Sequence, residues 1–302
     1  MIEKVLSFGP DGILAGVLAE PAPGRAIPGA PAVLMWNVGI NHHVGPYRIN
    51  VELARRLAER GFCALRFDIS GMGDSEVRRG APAAMDRAVD DVREAMNVLE
   101  RRRGIRTFVV VGFCSSVDAA HALALVDERV VGTAYLEGYA YRTRGFWIRY
   151  PLRFLDRARW ERYLSRRFPR FFSGPTGTSA VDPSQAERGD RGSIYVRDIP
   201  RPEKFAADVR QMVQRGVRLF FVYVGGDTDF NHAGQLREMI GRGRGAPRLE
   251  LEFLPDADHT FFRLEDRARV VDVTCRWVDR HFGQAESVVA RDAEQALDAK
   301  QA

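Results

Sequence analysis

One segment limits what this chain can fold into more than any other. Thr107–Phe113, its most apolar run, passes without a spacer into Ser115–Leu125, an alanine-rich helical pattern. An apolar run of this length reads as a strand buried on both faces. A buried strand that turns directly into a helix brings the two backbones close together, so the residues two before and two after the apex must be small. In Gly112-Phe113-Cys114-Ser115-Ser116 that demand is met when the apex is Cys114; an apex at Ser115 would put Phe113 where a small residue is needed. A thiolate at this strained turn is stabilised by the helix N-terminus, and the amide of Ser115 is aimed to serve an oxyanion. Read alone, the segment fits both a reactive Cys114 and a buried cysteine at a strand end.

The remaining pattern sets that turn in a sheet. Glu3–Phe8 and Ile13–Glu20 read as a hairpin around Pro10-Asp11-Gly12. Strands are expected over Ala32–Val38, Cys63–Ile69, Val130–Leu136, Val217–Val224 and Leu249–Leu254. Helices are expected over Tyr47–Arg60, Met85–Arg103, Phe205–Arg215, Ala233–Ile240 and Phe262–Phe282. Strand and helix alternate from residue 32 on, which predicts an α/β fold with a mostly parallel sheet, helices on both faces and an antiparallel hairpin at one edge. Residues 1–140 and 203–283 form the expected core, 141–202 an inserted helical cap, and 284–302, poor in large apolar groups, a flexible tail.

Three further segments join the turn in a resemblance. Phe67-Asp68-Ile69-Ser70-Gly71-Met72-Gly73-Asp74-Ser75, Val222-Tyr223-Val224-Gly225-Gly226-Asp227-Thr228-Asp229 and Pro255-Asp256-Ala257-Asp258-His259-Thr260-Phe261 each follow the C-terminal end of a predicted strand. With the turn at Cys114 they resemble the α/β-hydrolase superfamily in residue type and in order, nucleophile, acid, histidine. The resemblance implies a catalytic triad of Cys114, His259 as general base and Asp229 as the acid. Glu137, at the end of the sixth strand, is the alternative acid, and Asp227 a third. It also implies an oxyanion hole from the amide of Ser115 and that of Ile40 beside Gly39. Cysteine replaces the superfamily's usual serine, as in dienelactone hydrolases and some carrier-protein aminoacyl transferases. The implied activity is therefore cleavage of a small-molecule ester or thioester through an acyl-enzyme, or transfer of the acyl group to a thiol or amine. A non-catalytic binding module on the same fold is the third reading. Asn37 to Pro46, with Tyr139-Ala140-Tyr141-Arg142-Thr143, looks most like hydrolases found beside exosortase and surface-polysaccharide systems.

His42 and His43 could suggest a metal, but adjacent histidines do not face one site on a regular element, and no acid is spaced nearby in sequence. They are expected to face substrate or brace their loop, and no metal or cofactor is expected. Phe113, Phe146 and Trp147 are candidate substrate-lining residues. His121, His232 and His281 read as structural, and Cys63 and Cys275 as core.

The chain carries a net charge of +5, and only Lys4, Lys204 and Lys300 among its 45 basic residues are lysines. Residues 141–172 hold ten arginines, ten aromatics and two acids, a net +8 that leaves the rest at −3. The charge therefore bears on what approaches the cap: an acidic carrier protein, a phosphate-bearing substrate or a peripheral membrane contact. Nucleic acid is not expected, because no reading motif accompanies the arginines. Three widely spaced cysteines and the absence of a signal-like start point to a reducing, cytoplasmic setting.

Overall fold

The computed structural model describes residues 1–78, 84–151, 197, 199–225, 229–241 and 248–283. Most of the expected cap, the expected tail and Asp227 thus lie outside the described residues.

Eight strands form one sheet among the described residues: β1 (Ile2–Phe8), β2 (Leu14–Glu20), β3 (Ala32–Trp36), β4 (Ala64–Phe67), β5 (Phe108–Phe113), β6 (Val130–Leu136), β7 (Arg218–Val224) and β8 (Leu249–Leu254). Their order is β1-β2-β4-β3-β5-β6-β7-β8. The β1–β2 and β2–β4 pairs are antiparallel and all others parallel. The helices are α1 (Ile49–Glu59), α2 (Ala84–Arg103), α3 (Ser116–Val126), α4 (Arg144–Arg149), α5 (Pro202–Gln214), α6 (Gln235–Ile240) and α7 (Leu264–Phe282).

The central strands feed two separate cores because successive side chains point to opposite faces. Phe108, Val110, Tyr135, Leu219 and Phe221 pack with α2, α3 and α5 on one face. Val109, Val111, Ala134, Phe220 and Val222 pack with α1 and α7 on the other. This double burial is why β5 reads as one unbroken apolar run.

Several element boundaries differ from expectation by up to three residues. The first helix begins at Ile49 instead of Tyr47, because Tyr47 (φ 48°) and Arg48 (φ 68°) are left-handed and cannot enter a right-handed helix. Cys63 lies just before β4, half-buried against the core, instead of within a strand.

The strand order fixes where a site can form. From β3 the chain moves to β4 on one side and then to β5 on the other, so β3 and β5 are neighbours whose following loops diverge. In an open α/β sheet the crevice at such a reversal lies beyond the strands' carboxyl ends. The loop holding Gly39 follows β3 and Cys114 follows β5.

Strand and helix approach at Gly112 as closely as the turn requires. A Cβ there would stand 2.7 Å from Val117 Cα and 2.9 Å from Val117 N. Gly112→Ala is expected to cost about 1–3 kcal/mol, the usual range for overpacking a tight contact. Urea denaturation measures it, and an unchanged midpoint and slope would refute the close approach.

Candidate active site

Cys114 stands at the end of β5 with φ 51°, a left-handed conformation that non-glycine residues seldom adopt. The turn is clasped by Ser116, whose hydroxyl accepts from Phe113 N at 2.6 Å and donates to Phe113 O at 2.9 Å. The Cys114 amide donates to Leu136 O at 2.9 Å, tying the turn to the end of β6. The next residue there is Glu137, 3% exposed and also left-handed (φ 55°). Its two oxygens have separate partners: Oε1 accepts from Val224 N at 2.6 Å and Oε2 from His259 Nδ1 at 2.9 Å. His259 comes from the loop after β8, which Asp258 shapes by accepting from Thr260 N (2.9 Å) and Phe262 N (3.0 Å). With Nδ1 on Glu137, Nε2 is the nitrogen left for the hydrogen bond His259 makes with Cys114.

Electrostatics follow from these contacts. Burial pushes the Cys114 thiol up, but the hydrogen bond and charge of His259, with smaller help from Arg197 and the Ser115 amide, bring it below the ordinary thiol range. His259 is pushed up to about 10, first by Cys114 and then by Glu137, against burial. Each partner thus favours the charged form of the other, thiolate and imidazolium. Burial raises Cys63, and raises Cys275 to about 12. Because the reactive form is the thiolate, alkylation of Cys114 by iodoacetamide is expected to rise with pH and level off below about 8.5, the ordinary thiol value. At pH 6–7 peptide mapping should find the label on Cys114 with Cys63 and Cys275 spared. A midpoint at or above the ordinary value would contradict the ion pair.

A family model described as "Alpha/beta hydrolase family" matches residues 26–273, which contain all of this geometry. The chain belongs to the alpha/beta hydrolase family. No sequence relative is found among curated proteins. Similar solved structures include a Pyrococcus furiosus esterase (TM-score 0.56, 13% identity, 92% of this chain and 91% of that one). A serine hydrolase without a lid from Xanthomonas campestris has TM-score 0.54 at 14% identity, over 93% and 94%. Proline iminopeptidase from Mycobacterium smegmatis has TM-score 0.54 at 18% identity, over 94% and 100%. At these identities the likeness concerns the fold.

Within this hydrolase-family site the expected acid is the main correction. Asp229 does not meet His259: its Oδ1 accepts from Arg142 Nε at 2.8 Å on the surface, and its backbone oxygen accepts from Gln235 Nε2 at 2.6 Å. Arg142 draws the side chain outward, while among the described residues the alternative acid, Glu137, accepts from the imidazole.

The expected oxyanion residues Ser115 and Gly39 meet beside the turn. The Ser115 amide donates to the Cys114 sulfur, and Ser115 Oγ accepts from Gly39 N at 2.8 Å, so Gly39's amide is already engaged. Ile40, 92% exposed, sits at the tip of a turn closed by Val38 and Asn41.

His43 is a loop brace, buried with Nδ1 2.8 Å from Asp68 Oδ2, whereas His42 is exposed. Contrary to the sequence spacing, acids do stand nearby. Ligand atoms of His42, His43, Asp68 and Asp74 lie within 4.8 Å of one another, and these are the residues that could hold a cation. Asp68, however, already accepts from Asn37 Nδ2, His43 N, His43 Nδ1 and Asp74 N, which fills its acceptor positions.

Phe113 is buried and its ring lies 6.0 Å from that of His259. Phe146 is buried and Trp147 exposed, as consecutive helical residues diverge by about 100°. Arg142 stands over both rings at 5.6 Å. His121 is structural, bridging Asp208 (3.0 Å) and Tyr135 Oη (3.2 Å).

Sequence reasoning missed Asn37, which ties the β3 end to Asp68 (2.7 Å) and Ile69 N (2.6 Å). It also missed the pair Asp118–Arg197. The available signal was Asp118 itself, an acid on an otherwise apolar helix beside the turn, which needs a cationic partner when buried. Among the described residues no helix is long and apolar enough to cross a membrane.

Proposed function

We propose that this protein is an acyl hydrolase that uses Cys114 as nucleophile, His259 as general acid–base and Glu137 as the acid that orients it. The reading is carried by one observation: a left-handed cysteine between β5 and α3 hydrogen-bonded to a histidine whose other nitrogen lies 2.9 Å from a buried glutamate. The Cys114 thiolate attacks the carbonyl carbon of an ester or thioester and forms a C–S bond. The bond to the departing alcohol or thiol breaks, and that group takes the proton from His259. A water then gives its proton to His259 and its oxygen to the carbonyl carbon. The C–S bond breaks, and thiolate and imidazolium are restored as the carboxylic acid leaves.

The oxyanion is met by the Ser115 amide on the α3 N-terminus, with the Gly39–Ile40 turn opposite across the sheet reversal. A thioester acyl-enzyme is also open to amines and thiols, so acyl transfer is the second reading. It is favoured by the cysteine in place of serine, and the arginine-rich run 141–172 offers charge complementary to an acidic carrier protein. Intact mass spectrometry after mixing with an activated acyl thioester tests the first half-reaction by its adduct on Cys114. Timing adduct decay in water alone against decay with a candidate amine or thiol separates hydrolysis from transfer.

A further inference from the structure

Three residues beside the nucleophile form a cluster that the acyl-transfer chemistry does not use. Asp118 lies on the first turn of α3, four residues past Cys114, with its side chain fully buried. Its carboxylate accepts from Arg197 Nε at 3.3 Å and from Arg197 Nη2 at 2.9 Å. The guanidinium carbon also stands 5.5 Å from the centroid of Tyr139, two residues beyond Glu137 at the end of β6. Arg197 is therefore wedged between the helix that follows the nucleophile and the strand end that supplies the acid. Its charge reaches Cys114, adding to the depression of the thiol.

The way Arg197 is held matters more than its charge. A guanidinium presents five N–H donors in a planar fork. Asp118 takes the side-on edge, Nε and one hydrogen of Nη2. The end-on edge, Nη1 and the second hydrogen of Nη2, makes no hydrogen bond or ion pair among the described residues, and the side chain is 24% exposed. Two parallel N–H groups on that edge match the two oxygens of a carboxylate. The buried Asp118 and the Tyr139 ring fix the fork in one orientation, so little side-chain entropy remains to be lost when a second anion docks.

We propose that Arg197 is a substrate-recognition residue whose free guanidinium edge binds a carboxylate carried by the acyl group, so that the preferred donors are mono-thioesters or mono-esters of dicarboxylic acids. This rests on the acyl-enzyme reading above and narrows its substrate class.

The test compares two acyl chains of equal length, the N-acetylcysteamine thioesters of butyric and succinic acid. Both lack the phosphates of a natural carrier, so only the acyl terminus differs. For the unaltered protein kcat/KM is expected to favour the succinyl thioester by roughly 10- to 100-fold, the range for a charge-assisted bidentate contact. Arg197→Gln should bring the ratio of the two kcat/KM values to about one or below, chiefly through KM of the succinyl substrate. Arg197→Lys, which keeps the charge but loses the fork, should fall between.

Because Arg197→Gln removes a cation from the buried Asp118, the double variant Asp118→Asn/Arg197→Gln keeps the experiment decisive if the single one fails to fold. A purely structural role would lower both rates together and leave their ratio unmoved. Turnover of both thioesters with no preference for succinyl, or a preference that survives Arg197→Gln, overturns the assignment of Arg197 and leaves the acyl-hydrolase reading standing. Absence of turnover with both, and of any adduct on Cys114, overturns both.

Discussion

Cys114→Ala is expected to lower thioester hydrolysis by at least about 10⁴-fold, the scale seen when the nucleophile of a triad is removed. The residual rate would come from binding and oxyanion contacts alone. The substitution should leave the fold intact, because the turn is held by Ser116 Oγ on the Phe113 backbone and by the Cys114 amide on Leu136 O, not by the thiol. The acyl adduct should vanish with the activity. Cys114→Ser offers a sharper comparison. Serine keeps the geometry, but its hydroxyl does not ionise near neutral pH, so the ion pair with His259 is lost and activity should fall well below that of the cysteine enzyme. Hydrolysis by Cys114→Ala within about tenfold of the starting protein would sink the mechanism.

Glu137→Gln is expected to lower kcat by about 10²- to 10⁴-fold, whereas Asp229→Asn should change it by less than about threefold. Glutamine at 137 can still accept from Val224 N, so the backbone support of the left-handed turn survives and only the charge facing His259 Nδ1 is removed. The imidazolium then loses the support of Glu137. Its proton is released at lower pH, the thiolate forms less readily, and the plateau of Cys114 alkylation should move to higher pH. Asp229→Asn breaks only the surface contact with Arg142, for which a loss of about 0–1 kcal/mol is typical. Kinetics and alkylation profiles for the two variants decide the matter: if Asp229→Asn is the crippled one, the acid has been misassigned.

These two carboxylates mark the boundary between what is legible in the amino-acid order and what is not. The strands, the turn at Cys114 and the loop carrying His259 are written in local signals: apolar runs, small flanks, a polar loop after the last strand. A nucleophile and its histidine each sit within one such segment. The acid does not, because its identity depends on where two loops end relative to a third. Glu137 is a single residue after an ordinary strand, and it reaches His259 because β6 lies beside β7 and the Val224 amide holds its other oxygen. Asp229 has the more familiar surroundings in sequence but is drawn outward by Arg142, 87 residues away. Such competition between distant partners leaves no local trace. Arg197 is the same case at longer range, far along the chain from Cys114, and only its buried partner Asp118 hinted at it.

Cys114, Glu137 and Phe261 hold φ of 51°, 55° and 53°, so each strand-end loop that supplies a member of the proposed triad contains a residue that glycine would fill at lower cost. At about 1–2 kcal/mol apiece, the three amount to several kcal/mol against a usual net stability of about 5–15 kcal/mol for a domain. The reacting corner is thus the part of the molecule the rest must hold down. A chain optimised for melting temperature alone would drift toward glycine at these positions and lose its chemistry as it gained robustness. The two thick apolar cores on either side of the sheet make that burden tolerable, and they let a demanding arrangement persist at the carboxyl end of the sheet.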